Sequence, residues 1–328
     1  MTQHVPASHP AGPSARRVAA VDCGTNSLRL LVADVAADGT LTEVDRRTTI
    51  VRLGQGVDRT GELAPEALER TFAVTREYAQ VVAATGAGKV RFVATSATRD
   101  ARNRDAFFAG IREAIGVDAE VVSGDEEAQL SFRGATGVVG ATHSGPYLVV
   151  DLGGGSTELV LGEAAPEAAL SMDVGSVRLH ERHLRSDPPT ADEVAAARAD
   201  VHAALDAAAA VVPLGRTTTL VGLAGSVTSV TACALGLRAY DRSAVDGAQL
   251  AVDDVLATCD RLLAMTRDER LALGFLQPGR ADVIGAGALV WGEVVRRVRD
   301  DVAAAGGALT HVLTSEHDIL DGIALSIR

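Results

Sequence analysis

An α/β chain of two like-built domains, facing one another across a cleft, is predicted by three observations. The 328 residues are 47% hydrophobic, which is enough to fill two cores of ordinary size. Short apolar strands alternate with amphipathic helices along the chain. The sequence also echoes itself: Asp22-Cys23-Gly24-Thr25-Asn26-Ser27 and Asp151-Leu152-Gly153-Gly154-Gly155-Ser156 each follow one apolar strand and precede another.

VAAVD at 18–22 reads as a buried strand and LRLLVADV at 28–35 as its neighbour across the CGTNS turn, with a third strand around 47–53. The segment beginning at Pro65 is helical, with proline suited to its start and Gly86 to its end. KVRFVAT is a strand, NRDAFFAGIREAIG a helix, DAEVVSG a strand and DEEAQLSFRGATGVV a helix. YLVVDLGGGSTELVLG then opens the second half, followed by a strand near 168–174 and a helix from Gly175. The Ala-rich stretch ADEVAAARADVHAALDAAAAVV is a helix, TTTLVGLAGS a strand into a turn, and VTSVTACALG a helix. Further helices are expected at 248–265 and 280–300, and the chain closes with a strand, a turn and a helix. The expected division is a loose tail over 1–17, one domain over 18–136 and a second over 137–328, with the closing helix a candidate to pack back on the first.

Asp and Glu outnumber Lys and Arg by 43 to 31, a formal charge of -12, which disfavours a broad nucleic-acid or anionic-membrane surface. An anionic substrate must then be held by local devices: backbone amides, a few arginines and a bound cation. Cys23, Cys233 and Cys259 match no zinc pattern and cannot all pair with one another, which fits a reducing cytosol. The opening residues lack the apolar segment of a secretion signal, and no stretch has the length and flanks of a membrane span, so a cytoplasmic protein is expected.

The Asp22 turn offers Gly24, whose missing Cβ lets amides converge, and Thr25, Asn26 and Ser27 as further donors to phosphate oxygens. DLGGGSTE is the stronger signal. Three successive glycines give up much backbone freedom on folding, so Gly153, Gly154 and Gly155, followed by Ser156 and Thr157, point to an anion-binding turn. Neither loop is a Walker A motif, and Glu158 stands where a Rossmann fingerprint needs its third glycine. Asp22 and Asp151, each ending a strand beside such a turn, suit a hard divalent ion such as magnesium, which takes oxygen ligands and keeps some of its waters. The rival role for each is to hold its own turn.

Glu126 and Glu127 open a helix between the halves; either can face the cleft as a base for water, or serve as a first-turn charge. Arg99, after a strand and a polar turn, can clamp two phosphate oxygens or form a surface ion pair. Gly225 and Ser226 sit at another strand-to-helix transition and can present donors to an anion, though a helix cap explains Ser226 nearly as well. His180 and His183 lack an acidic ligand set, and His317-Asp318 is too short a motif to imply a metal phosphohydrolase.

Taken together, VAAVDCGTNSLRLLVADV, VRLGQGV, VATSATRDARN, VVSGDEEAQLSFRG, LVVDLGGGSTELVLG and VGLAGSVTSVTA resemble the exopolyphosphatase and guanosine pentaphosphate phosphohydrolase family, in order and over nearly the whole chain after the tail. The resemblance implies an actin-like, ribonuclease-H-like (ASKHA) fold with an interdomain cleft. It maps the water-activating glutamate onto Glu127 and a second catalytic glutamate onto Glu158, which also assists metal placement beside Asp151. Arg99, Asn26 and Ser156 match positions that meet phosphate. Cys23 and Thr25 replace the Leu and Ser of many relatives, and the chain lacks the length for the extra C-terminal helical domains of longer members.

The implied activity is magnesium-assisted hydrolysis, with manganese as an alternative metal, of the terminal phosphoanhydride of inorganic polyphosphate. Guanosine pentaphosphate is the alternative substrate. An actin-like sugar kinase and a non-catalytic polyphosphate or nucleotide sensor are the readings from other classes. No nucleic-acid or membrane partner is expected, and a homodimer is left open.

Overall fold

The computed structural model describes residues 15–140 and 142–328. The tail expected over 1–17 falls largely outside the described residues, and its last two positions are not tail: the first strand begins at Arg16, and Arg17 pairs with Asp34 on the next strand at 2.8 Å.

The first sheet is built from β1 (Arg16–Cys23), β2 (Ser27–Val35), β3 (Leu41–Ile50), β4 (Lys89–Ala94) and β5 (Ala119–Val121), in the order β3-β2-β1-β4-β5. The second contains β6 (Tyr147–Leu152), β7 (Thr157–Gly162), β8 (Pro166–Met172), β9 (Thr219–Leu223), β10 (Gln249–Ala251) and β11 (His311–Thr314), in the order β10-β11-β9-β6-β7-β8. Both sheets are mixed, and they share a plan. β1 runs antiparallel to β2 and parallel to β4, just as β6 runs antiparallel to β7 and parallel to β9. The echoed hexapeptides therefore lie at equivalent corners of two sheets of common plan, an arrangement that resembles the actin-like α/β fold.

Three boundaries differ from expectation. β3 begins at Leu41 and ends at Ile50, earlier than 47–53, because LTEVDRRTTI is a half-exposed edge strand with no apolar run to mark it. The helix expected over 248–265 is preceded by the short edge strand β10, and helix proper runs Val252–Ala264. The helix expected over 280–300 is likewise split into a turn at Pro278–Ala281 and a long helix at Ile284–Ala304. The helix Pro65–Thr85 has proline in its first turn and stops at Gly86, whose φ of 73° suits a residue without a Cβ.

One face of the first sheet packs Ala19, Val21, Leu30 and Phe92 against Tyr78, Phe107 and Ile111. The other face packs Val18, Ala20, Leu31 and Val93 against the closing helix Ile319–Ser326. The helix Gly124–Val139 joins the two halves. Its Leu130 enters that last cluster, while Ala128, Phe132 and Ala135 pack on Val149, Val160 and Val221 of the second sheet. Two glycines let this helix and the closing helix touch: a Cβ on Gly134 would lie 1.9 Å from the Asp318 carbonyl, and one on Gly322 would lie 2.0 Å from that of Leu130. Among the described residues, no helix is long and apolar enough to cross a membrane.

Candidate active site

A cavity of about 400 Å³ opens between the sheets and is lined from both. The two turns meet there. A Cβ on Gly154 would lie 3.0 Å from Thr25 Cβ, and one on Gly155 would lie 2.5 Å from Ser96 Oγ and 2.7 Å from Thr25 Oγ1. Only glycine allows this approach. Each turn is closed by one hydrogen bond, Gly24 N to Ser27 O and Gly153 N to Ser156 O, both 3.0 Å. Among the described residues the amides of Thr25, Asn26, Gly154 and Gly155 donate to no protein acceptor, which leaves them free for an anion.

A third wall comes from the start of the helix Ala224–Ala234, which has no side-chain cap. Ala224 adopts φ 67°, an uncommon and strained conformation for a residue with a Cβ. Ala224, Gly225 and Ser226 all line the cavity, and the first-turn amides of a helix favour negative charge.

Of the expected site residues, Asp22, Gly24, Thr25, Asn26, Ser27, Glu127, Asp151, Gly153, Gly154, Gly155, Ser156, Gly225 and Ser226 all line this cavity. Thr157 does not: it is fully buried, and its hydroxyl donates to the Val174 carbonyl at 2.6 Å. Arg99 stands behind the cavity wall, where Nη1 donates to Glu127 Oε2 at 3.2 Å and to the Val122 carbonyl at 3.1 Å. Glu158 is also behind the wall, opposite Asp151 in the β6–β7 register, and accepts from Ser171 Oγ at 2.7 Å. The structure separates the two glutamates that the helix pattern alone left open. Glu126 pairs with Arg91 at 2.7 Å, half-exposed, whereas Glu127 is buried at the cavity.

The carboxylates are strongly perturbed. Burial pushes Glu127 well above the usual carboxyl range; Glu158 adds to this and Arg99 opposes it. Burial, and next the charge on Asp318, pushes Asp151 up to about 6, against the opposing hydrogen bond from Ser131 Oγ at 2.5 Å. Burial and the neighbouring Asp151 raise Glu158 to about 7. Asp22 is raised by burial as well, and partly restored by Arg29, whose Nε and Nη2 lie 2.8 and 2.6 Å from Asp22 Oδ2.

Sequence reading missed the cavity's cations. Arg29, Arg46, Arg242 and Arg280 all line it. Arg29 is shared between Asp22 and Asp318, Arg46 between Glu43 and Asp321, and Arg242 between Glu43 and Glu316. The Arg280 guanidinium has no hydrogen-bond or ion-pair partner among the described residues, and a Cβ on Gly225 would lie 2.5 Å from its Nη2. Its burial lowers its pKa, with Tyr240 and Glu316 opposing. An isolated arginine in QPGRAD carries no local motif, so only the fold reveals its position.

Mixed sheets of common plan, with glycine turns meeting over buried carboxylates, define an α/β fold resembling the actin-like class. The Ppx/GppA phosphatase family model matches residues 31–315, and the chain belongs to that family. It is 52% identical over 319 residues to exopolyphosphatase 2 of Mycobacterium tuberculosis, covering 95% of this chain and 98% of that protein. The crystal structure of an exopolyphosphatase-like protein superposes with a TM-score of 0.92 at 48% identity, covering 95% of this chain and 97% of the other. The Aquifex aeolicus member of the Ppx/GppA family matches with a TM-score of 0.75 at 27% identity, covering 95% and 97%.

Proposed function

We propose that the protein removes the terminal phosphate of inorganic polyphosphate as orthophosphate, by attack of water in the cleft between two actin-like domains, 18–136 and 137–328. The observation that carries this reading is the position of Glu127, a buried carboxylate at the wall of a cavity that also presents four unpaired turn amides. The relationship to exopolyphosphatase 2 supports the choice of polyphosphate.

In this mechanism the terminal phosphoryl group sits between the Thr25–Asn26 and Gly154–Gly155 turns, whose free amides hold its oxygens. Glu127 takes a proton from the attacking water, and its burial strengthens its hold on that proton. Arg99 fixes the Glu127 carboxylate from behind. The new bond joins water oxygen to phosphorus, and the bridging oxygen leaves with the shortened chain. Glu158 acts from behind Asp151, by keeping a proton or a charge near it as the site changes state.

The donor set fits magnesium or manganese. Asp22, Asp151, Asp318 and Glu127 line the cavity with oxygen donors only, without a histidine or cysteine. Among the described residues no preformed group of three or more such ligands exists, so a cation held by Asp22 and Asp151 would draw its other ligands from water and phosphate. When bound, the ion supplies charge neutralisation of the phosphate oxygens as the anhydride breaks.

Guanosine pentaphosphate is the second reading, because Tyr240, Phe275 and Gln277 line the same cavity and offer ring and amide surface to a base. Orthophosphate release from polyphosphates of several lengths and from guanosine pentaphosphate, with and without magnesium, tests both. No release from either with wild-type protein would reject hydrolysis and leave the sensor reading.

A further inference from the structure

The closing segment brings an acidic side chain into the cavity whose bond to Arg29 has no part in the hydrolytic steps. Asp318 is 5% exposed and lines the cavity beside Asp22, Asp151 and Arg29. Its Oδ2 accepts a hydrogen bond from Arg29 Nη1, while Oδ1 accepts from Leu320 N at 3.0 Å and so caps the helix Ile319–Ser326. The backbone amide of Asp318 donates to Asp321 Oδ2 at 3.2 Å, completing a capping box. Asp321 is itself tied to Arg46 at 2.8 Å and to His317 at 3.0 Å, and the Gly134 contact fixes the Asp318 carbonyl. The carboxylate is thus held from several sides at one place.

That place decides what Arg29 can do. A guanidinium presents its donors along edges, and the edge carrying Nε and Nη2 is taken by Asp22. Nη1 faces Asp318. With both directions occupied, Arg29 balances buried carboxylates and has little capacity left for substrate oxygens. An arginine in a cavity with a free edge would instead grip phosphate bidentately, in the product as well as in the substrate.

We propose that Asp318 is a positioning residue: it occupies the Arg29 edge that would otherwise clamp phosphate, so the site binds its anion through amides and Arg280 and releases orthophosphate readily. This rests on the hydrolytic reading for its effect on turnover, but its effect on anion binding can be measured without turnover.

Asp318→Asn and Asp318→Ser remove the charge while keeping a good helix N-cap, and Asp318→Glu keeps the charge while disturbing the cap. Calorimetry with tripolyphosphate and with orthophosphate reads binding; phosphate release in the presence of added orthophosphate reads product inhibition. Freeing the charge-assisted Arg29 Nη1 donor should tighten both anions about five-fold or more in the two neutral variants, lower the orthophosphate inhibition constant in step, and lower KM and kcat together as product release slows. Asp318→Glu should stay near wild type in anion affinity even if it melts lower. Unchanged or weaker anion binding in both neutral variants would overturn the proposal. Wild-type protein that binds tripolyphosphate without hydrolysing it would instead sink the hydrolytic reading, while tightened binding in the variants would still uphold the role of Asp318.

Discussion

Glu127 Oε2 accepts a hydrogen bond from Arg99 Nη1 at 3.2 Å, and the same nitrogen donates to the Val122 carbonyl at 3.1 Å. Arg99 therefore serves the carboxylate from behind, where position in the sequence suggested a direct grip on phosphate. Glu127 keeps the cavity side. Replacing it with Gln preserves volume and a hydrogen-bonding oxygen but removes the proton acceptor. Glu127→Gln should lower kcat by about 10²–10⁴-fold, the usual worth of a general base, with tripolyphosphate affinity and melting temperature nearly kept. Near-normal phosphate release would remove Glu127 from its assigned role. Arg99→Ala should also lower kcat and shift the acidic limb of the pH–rate profile, since Arg99 opposes the rise in the Glu127 pKa.

The buried carboxylates make stability depend on pH in a direction opposite to that of an ordinary salt-bridged acid. Asp151 is raised to about 6 from 3.8 and Glu158 to about 7 from 4.5, so each binds its proton more tightly folded than unfolded. By linkage the folded state then loses stability as pH rises from about 4 to 7, and the loss is complete above the folded values. For the coupled pair the effect is on the order of 1–3 kcal/mol. In metal-free buffer the melting temperature should fall as pH rises through this window, and Glu158→Gln should flatten the slope. Added magnesium should raise it more at about pH 8 than at about pH 5, where protons already neutralise the site. A metal-free melting profile that climbs from about pH 5 to 8 as steeply in wild type as in Glu158→Gln would refute the assignment.

The close meeting of the two turns gives a third prediction. A methyl group at Gly155 would be 2.5 Å from Ser96 Oγ and 2.7 Å from Thr25 Oγ1, both side chains of the first half. Gly155→Ala must push the turns apart, at a cost of roughly 1–3 kcal/mol in stability. Since the free amides of Thr25 and Gly154 move with those turns, KM should rise as well. Gly86→Ala, at the exposed end of a helix with nothing within 4 Å of the new Cβ, strains φ alone and is the control: it should melt lower without changing KM.

The two halves were legible in the sequence because their signals are local. The echo of Asp22 and Asp151 turns became two sheets of one plan, since an apolar strand followed by a glycine turn specifies its own geometry. β3 was displaced because an edge strand such as LTEVDRRTTI need not be apolar. Thr157 looked like part of a phosphate loop but lies one residue into β7, where alternation turns its hydroxyl to Val174. Arg280 was invisible as a site residue, and the His317-Asp318 pair was too short to place Asp318 in the cavity, for a different reason. They reach the cavity from far along the chain, Asp318 meeting Arg29 across 289 positions, and no local pattern encodes such a meeting.

Arg280 supplies the last prediction. Its guanidinium is the one among the cavity arginines with no carboxylate or carbonyl partner among the described residues, while Arg29, Arg46 and Arg242 are each shared between two acids. Holding a half-buried cation without a hydrogen-bond partner is costly, and a polyanion in the cavity relieves that cost. Arg280→Ala should therefore weaken substrate binding while leaving the water-activating apparatus in place: KM rises about ten-fold or more, in line with loss of a charge-assisted hydrogen bond, and kcat changes far less. Arg280→Lys should recover part of the loss, because it restores charge without the planar fork. The substrate-free Arg280→Ala protein should melt no lower than wild type, since no described residue hydrogen-bonds or ion-pairs with the guanidinium and only Tyr240 and Glu316 offset the cost of its burial. A fall in kcat with KM unchanged would place Arg280 at the transition state and contradict the binding role.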